Sequence, residues 1–136
     1  MINFFKNKTN ENNDFLNKVG SLLIHAAKID EAYTSSEKEI IKQTLIKLGA
    51  NSSNIEKIMS DAAIIEESSN QILDFTREIK NSSNENKIKI IEALWEIIYS
   101  NNSADIYETN LMRRLAGLLY IDAKTMGDLK NKVKKN

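Results

Sequence analysis

The stretch NENKIKIIEALWEIIYSNNSADIYETNLMRRLAGLLY, from Asn84 to Tyr120, constrains this chain more than any other. Between Lys87 and Ser100 it is apolar nearly all round: Ile88, Ile90, Ile91, Ala93, Leu94, Trp95, Ile97 and Ile98. From Asp105 to Leu119 it is one-sided, with Tyr107, Leu111, Leu115, Leu118 and Leu119 at three- and four-residue spacing. A polar break, Asn101-Asn102-Ser103, separates the two. An all-round apolar segment reads as a buried central helix and a one-sided segment as its amphipathic partner, joined by a tight turn. That fixes a helical fold and spells out no chemistry.

The same period continues in both directions. Ile2 to Phe5 reads as a short apolar hook and Lys6 to Asn13 as a loose polar segment, so residues 1–13 are expected to be a flexible lead-in to a single domain over 14–136. From Asp14, Phe15, Val19, Leu22, Leu23, Ala26 and Ala27 share one helical face. Glu37 to Leu48 carries Ile40, Ile41, Thr44, Leu45 and Leu48 on another, and Gly49 is a natural C-terminal stop. Ser53-x-x-Glu56 opens a third helix with Ile55, Ile58, Met59, Ala62 and Ile65 inward. A fourth runs over Gln71 to Lys80, Ser82-x-x-Glu85 starts the central helix, and a last one spans Asp122 to about Val133. No segment alternates like a strand. Absence of Pro and only 4 Gly suit such a chain. The expected fold is all-α, a bundle of about seven helices.

Displacing the chain by 71 residues adds a repeat. Thr34 then falls on Asp105, Glu37 on Glu108, Ile40 on Leu111, Ile41 on Met112, Lys42 on Arg113 and Leu48 on Leu119. Each half offers helix, polar turn, helix, with Glu three residues after Thr or Asp, so two pseudo-repeated hairpins are expected.

These turns carry a family resemblance. Ala27-Lys-Ile-Asp30-Glu-Ala-Tyr-Thr-Ser-Ser-Glu37, the Leu94-Trp95-Glu96 helix, Tyr99-Ser-Asn-Asn-Ser-Ala-Asp105-Ile-Tyr107-Glu108 and the following Arg113-Arg114 together resemble the TerB-like family, tellurite-resistance protein TerB and related domains. The resemblance spans about Phe15 to Val133. It implies a compact all-helical domain of two related halves, without established enzymatic activity, associated with tellurite resistance and stress response. It also implies divalent-metal binding through the acidic turns in some members. This chain departs from the family pattern at Glu31, which stands where Gly is usual, at Asn101-Asn102 in place of Asp-Gly, and at Thr34 where an acid is common.

Asp30, Glu37, Asp105 and Glu108 therefore have two readings. They could supply hard oxygen ligands to calcium or magnesium. Alternatively Thr34-x-x-Glu37 and Asp105-x-x-Glu108 are capping boxes, in which the first side chain accepts from the N3 amide and Glu reaches back. Capping is the expected main role, with any cation weakly held. Neither turn has the ligand spacing of an EF-hand.

Other chemistries find little support. His25 is the sole His and there is no Cys, so a zinc site of His and Cys ligands is excluded and a packed or rim His is expected. Glu92 and Glu96, one turn apart, could pass for an acid–base pair but more simply mark the solvated edge of the central helix. Arg113 and Arg114 are expected to pair with neighbouring helices. No Gly-rich phosphate loop occurs. With 19 basic and 19 acidic residues the net charge is zero, which argues against nucleic acid as a partner. The only basic cluster, Lys130, Lys132, Lys134 and Lys135, suits a helix C-terminus. No stretch reaches the ~20 apolar residues of a membrane span, although Ile2, Phe4 and Phe5 leave peripheral membrane contact open. A cytoplasmic protein is expected. The function expected is a non-enzymatic module for protein partners or stress response, with a metal-dependent enzyme using the acidic turns as the alternative.

Overall fold

The computed structural model describes residues 2–29, 33–69, 71–100 and 106–135, and only the backbone of 2–12, 106–108 and 135. Among the described residues it contains seven helices and no strand. They are α1 (Ile2–Ala27), α2 (Ser35–Lys47), α3 (Ile55–Ser68), α4 (Leu73–Ile79), α5 (Asn84–Tyr99), α6 (Ile106–Leu118) and α7 (Ala123–Lys135). The all-α expectation holds.

The centre is shared by two helices. In α5 every apolar residue from Ile90 to Ile98 is buried, as the all-round pattern requires, while Ile88 is half-buried. Equally enclosed is α1, whose Leu16, Val19, Leu22, Leu23, Ile24, Ala26 and Ala27 are buried. It packs against α2, α3, α4 and α5, whereas α5 packs against α1, α2 and α7. The contact between α1 and α3 is close. A Cβ on Gly20 would lie 2.8 Å from the Cβ of Ala62, and the Ser21 hydroxyl sits 2.9 Å from the Ala62 carbonyl oxygen. Small residues at a crossing let two backbones approach and let a buried hydroxyl find a carbonyl on the facing helix.

Three boundaries differ from expectation. The first helix begins at Ile2 rather than Asp14, so residues 2–13 continue α1. That segment holds neither Pro nor Gly, and adding a residue to an existing helix is far easier than nucleating one. The third helix starts at Ile55 without a side-chain cap. Asn51, not Ser53, organises its entry, its Oδ1 accepting from the Ser53 and Asn54 amides at 2.9 and 3.2 Å. The central helix is capped by Ser83, which accepts from the Asn86 amide at 3.1 Å, while the Ser82 hydroxyl donates back to the Ile79 carbonyl. Where two serines adjoin, the backbone turn decides which one caps.

The repeat is present in the hydrogen bonds. Helices α2 and α6 end 71 positions apart, at Lys47 and Leu118. At the end of α2, Leu48, Gly49 and Ala50 donate to Thr44, Ile46 and Leu45; at the end of α6, Leu119, Tyr120 and Ile121 donate to Leu115, Gly117 and Ala116. The register persists into the next helices. Ile55 donates to the Asn51 carbonyl and Met126 to that of Asp122, while the Asn51 and Asp122 side chains accept from the Asn54 and Thr125 amides. The passage from the end of α2 into α3 and that from the end of α6 into α7 are thus built alike. The turn at 101–105 lies outside the described residues.

Candidate functional site

The first turn leads into α2, and its chemistry starts at Thr34. Thr34 adopts an extended backbone, so its hydroxyl faces the open amides of the first helical turn and accepts from Glu37 N at 3.1 Å. Glu37 Oε1 returns to accept from the Thr34 amide at 2.7 Å and from its hydroxyl at 3.0 Å. This is the capping box that the spacing indicates. It is also a buried one: Glu37 is 1 % exposed. A carboxylate so enclosed is kept by its hydrogen bonds and by the positive end of the helix.

Tyr33 precedes the cap and was not singled out by sequence reasoning. It is half-buried, its hydroxyl is enclosed without a hydrogen-bond partner among the described residues, and the Lys38 ammonium lies 5.7 Å from its ring centroid. Burial, and then the nearby Glu37 charge, hold the phenol above its ordinary pKa of 10.0. Beside it opens a cleft of about 510 Å³, lined by Ile24, Tyr33, Lys38, Lys42, Glu56 and Met59 among others. Lys42 of α2 reaches Glu56 of α3 at 3.2 Å across it. The signal available in the sequence was only an aromatic residue beside a cap. Its meaning depends on α3 folding back over α2.

The four acidic positions fare unequally. Asp30 and Asp105 lie outside the described residues, as does the side chain of Glu108. Glu37 has Oε1 committed twice to Thr34, which leaves one oxygen for a cation. Among the described residues no three His, Cys, Asp or Glu side chains are grouped to hold a metal. By itself the remaining Glu37 oxygen supplies one of the six to eight ligands that calcium takes.

The remaining residues settle into structural places. His25 sits at the rim with its side chain 38 % exposed, Nδ1 3.5 Å from Glu66 Oε2 and its ring 5.9 Å from that of Phe75. Lys28 meets the other oxygen of Glu66 at 2.7 Å. Glu92 pairs with Lys132 at 3.2 Å, joining α5 to α7. Glu96 is half-buried and its carboxyl is held above the usual range, chiefly by burial, opposed by Lys47 and assisted by Glu92. Arg113 and Arg114 depart from expectation: both are exposed, and among the described residues neither pairs with a carboxylate. Their helix presents them to solvent, where an ion pair gains little. Among the described residues no helix is long and apolar enough to cross a membrane.

Among known families, the model described as Tellurite resistance protein TerB matches residues 17–131, which takes in both turns and runs from α1 into α7. No curated protein and no solved structure matches the chain.

Proposed function

We propose a function from one premise: the chain belongs to the tellurite resistance protein TerB family. It is a non-enzymatic helical module that acts by binding a protein partner in a stress response, and the cleft beside the first turn is where the partner docks. What supports this reading is the composition of that cleft. The buried Tyr33 hydroxyl has no partner among the described residues, and Lys38, Lys42 and Glu56 stand around an apolar floor of Ile24 and Met59. Apolar ground with a few convergent polar groups is the usual make-up of a binding site. Glu37 serves the cap, and among the described residues no donor set is grouped for a metal-dependent reaction.

The reading is tested by a photocrosslinking residue placed at Ser60, on the cleft wall, in cells under tellurite stress. One dominant protein adduct is expected, lost on Lys42→Glu, which inverts the charge beside Glu56. Adducts indifferent to Lys42→Glu, or equally abundant from a crosslinker at the exposed Leu73 of α4, would overturn it.

A further inference from the structure

A second pocket, remote in sequence from the first turn, lies among α5, α6 and α7. It has a volume of about 240 Å³, and its lining includes Trp95, Met112, Arg113, Ala116, Met126 and Lys130. Three features set it apart. Trp95 is 4 % exposed, yet among the described residues its indole Nε1 has no hydrogen-bond acceptor. Its ring is stacked on Tyr99 at 6.1 Å and carries the Lys130 ammonium 5.4 Å from the centroid. Arg113 and Lys130 have no carboxylate partner among the described residues, although Lys132 and Lys89 nearby are both paired. Apolar walls with two cations that lack a carboxylate among the described residues suit a ligand that is apolar at one end and anionic at the other.

We propose that this pocket binds a small apolar carboxylate, an aliphatic or aromatic acid. Its hydrocarbon lies against Met112, Ala116, Met126 and the Trp95 ring, and Arg113 and Lys130 hold its carboxylate. Size supports a small acid over a larger molecule: the volume of about 240 Å³ falls below the ~300 Å³ of drug-sized sites. Charge supports an acid over a neutral hydrocarbon, since a carboxylate is the group that satisfies an arginine and a lysine together.

Trp95 is the sole Trp, so its emission reports the pocket directly. Octanoate is titrated into the full chain, with octan-1-ol as the uncharged control, by fluorescence and by calorimetry. A saturable change with octanoate is expected, with octan-1-ol about tenfold weaker, the worth of one charge-assisted contact. Arg113→Gln and Lys130→Gln should each weaken octanoate about threefold or more and leave octan-1-ol unchanged. Gly127 also lines the pocket, and a Cβ there meets nothing within 4 Å. Gly127→Leu should therefore fold, as judged by circular dichroism, and abolish binding. Three results would overturn the proposal: no saturation, octan-1-ol binding as tightly as octanoate (binding of an adventitious additive only), or unchanged affinity in both Gln variants. Should Gly127→Leu not fold, the two Gln variants decide.

Discussion

Gly49 and Tyr120 hold the same place in the two halves of the chain, 71 residues apart, and both have a positive φ, 125° and 58°. Each ends a 13-residue helix with the same set of reversed hydrogen bonds. One half uses Gly, for which that region is free of strain, and the other uses a Tyr that is 72 % exposed. The Lys80 and Lys87 ammonium groups lie 6.0 and 5.8 Å from the Tyr120 ring centroid, which partly offsets the strain.

The two positions should therefore respond differently to exchange. Gly49→Ala is expected to cost about 1–2 kcal/mol, because a Cβ is forced into a left-handed turn. Tyr120→Gly should change stability by less than about 1 kcal/mol, relief of strain being opposed by loss of the ring contacts and by backbone entropy. Urea unfolding of both variants checks this. A Tyr120→Gly loss larger than that of Gly49→Ala would mean the ring is a structural anchor.

Gly20 and Gly117 make a second contrasting pair. Replacing a helical Gly by Ala ordinarily gains about 0.5–1 kcal/mol. Gly117→Ala should do so, since nothing lies within 4 Å of its new Cβ. Gly20→Ala should instead lose about 1–3 kcal/mol, because its Cβ would meet that of Ala62 at 2.8 Å and push α1 from α3. Thermal melts of the two variants, moving in opposite directions, are the expected result.

The contrast shows what sequence could reveal here. Helical faces were readable because burial repeats with the helix: Ile41, Thr44 and Leu45 turn inward on α2 as their spacing demands. The repeat was readable because both halves keep apolar residues in one register. Cap positions at α3 and α5 were misplaced by one or more residues, since neighbouring Ser and Asn side chains compete and only the backbone turn selects among them. Gly20 reads in sequence as a weak point in a helix, and only the position of Ala62 gives it a purpose. Tyr33 and the Trp95 pocket were illegible for a like reason. Each joins residues that no periodicity links, such as Trp95 with Lys130.

Glu96 supplies a test through pH. Its folded pKa is raised above the ordinary 4.5, first by burial. A raised carboxyl pKa means that the folded state holds the proton more tightly than the unfolded state. The resulting penalty is absent well below 4.5, where both states are protonated, and grows as pH rises through the unfolded value toward the folded one. Glu96→Gln should accordingly raise the melting temperature at pH 7 and leave it unchanged at pH 3. A loss at pH 7 would show that the attraction to Lys47 and Lys132 outweighs burial.

The capping box separates the two uses of the first turn. Thr34 and Glu37 exchange three hydrogen bonds, and Glu37 is enclosed, so each partner completes the other's bonding. Thr34→Ala removes the hydroxyl that serves the Glu37 amide and should cost about 0.5–2 kcal/mol. Glu37→Ala should cost at least as much, because it also leaves the Thr34 amide without its acceptor. Glu37→Gln keeps an acceptor and the shape, and should lie between wild type and Ala. If capping is the whole role, these losses are the same with and without calcium or magnesium. If a cation is also held, wild-type stability must rise with the logarithm of its free concentration once above its dissociation constant, and Glu37→Gln must flatten that rise. We expect the flat result in both proteins. A metal-dependent gain in the wild type, missing in Glu37→Gln, would reassign the carboxylate from cap to ligand.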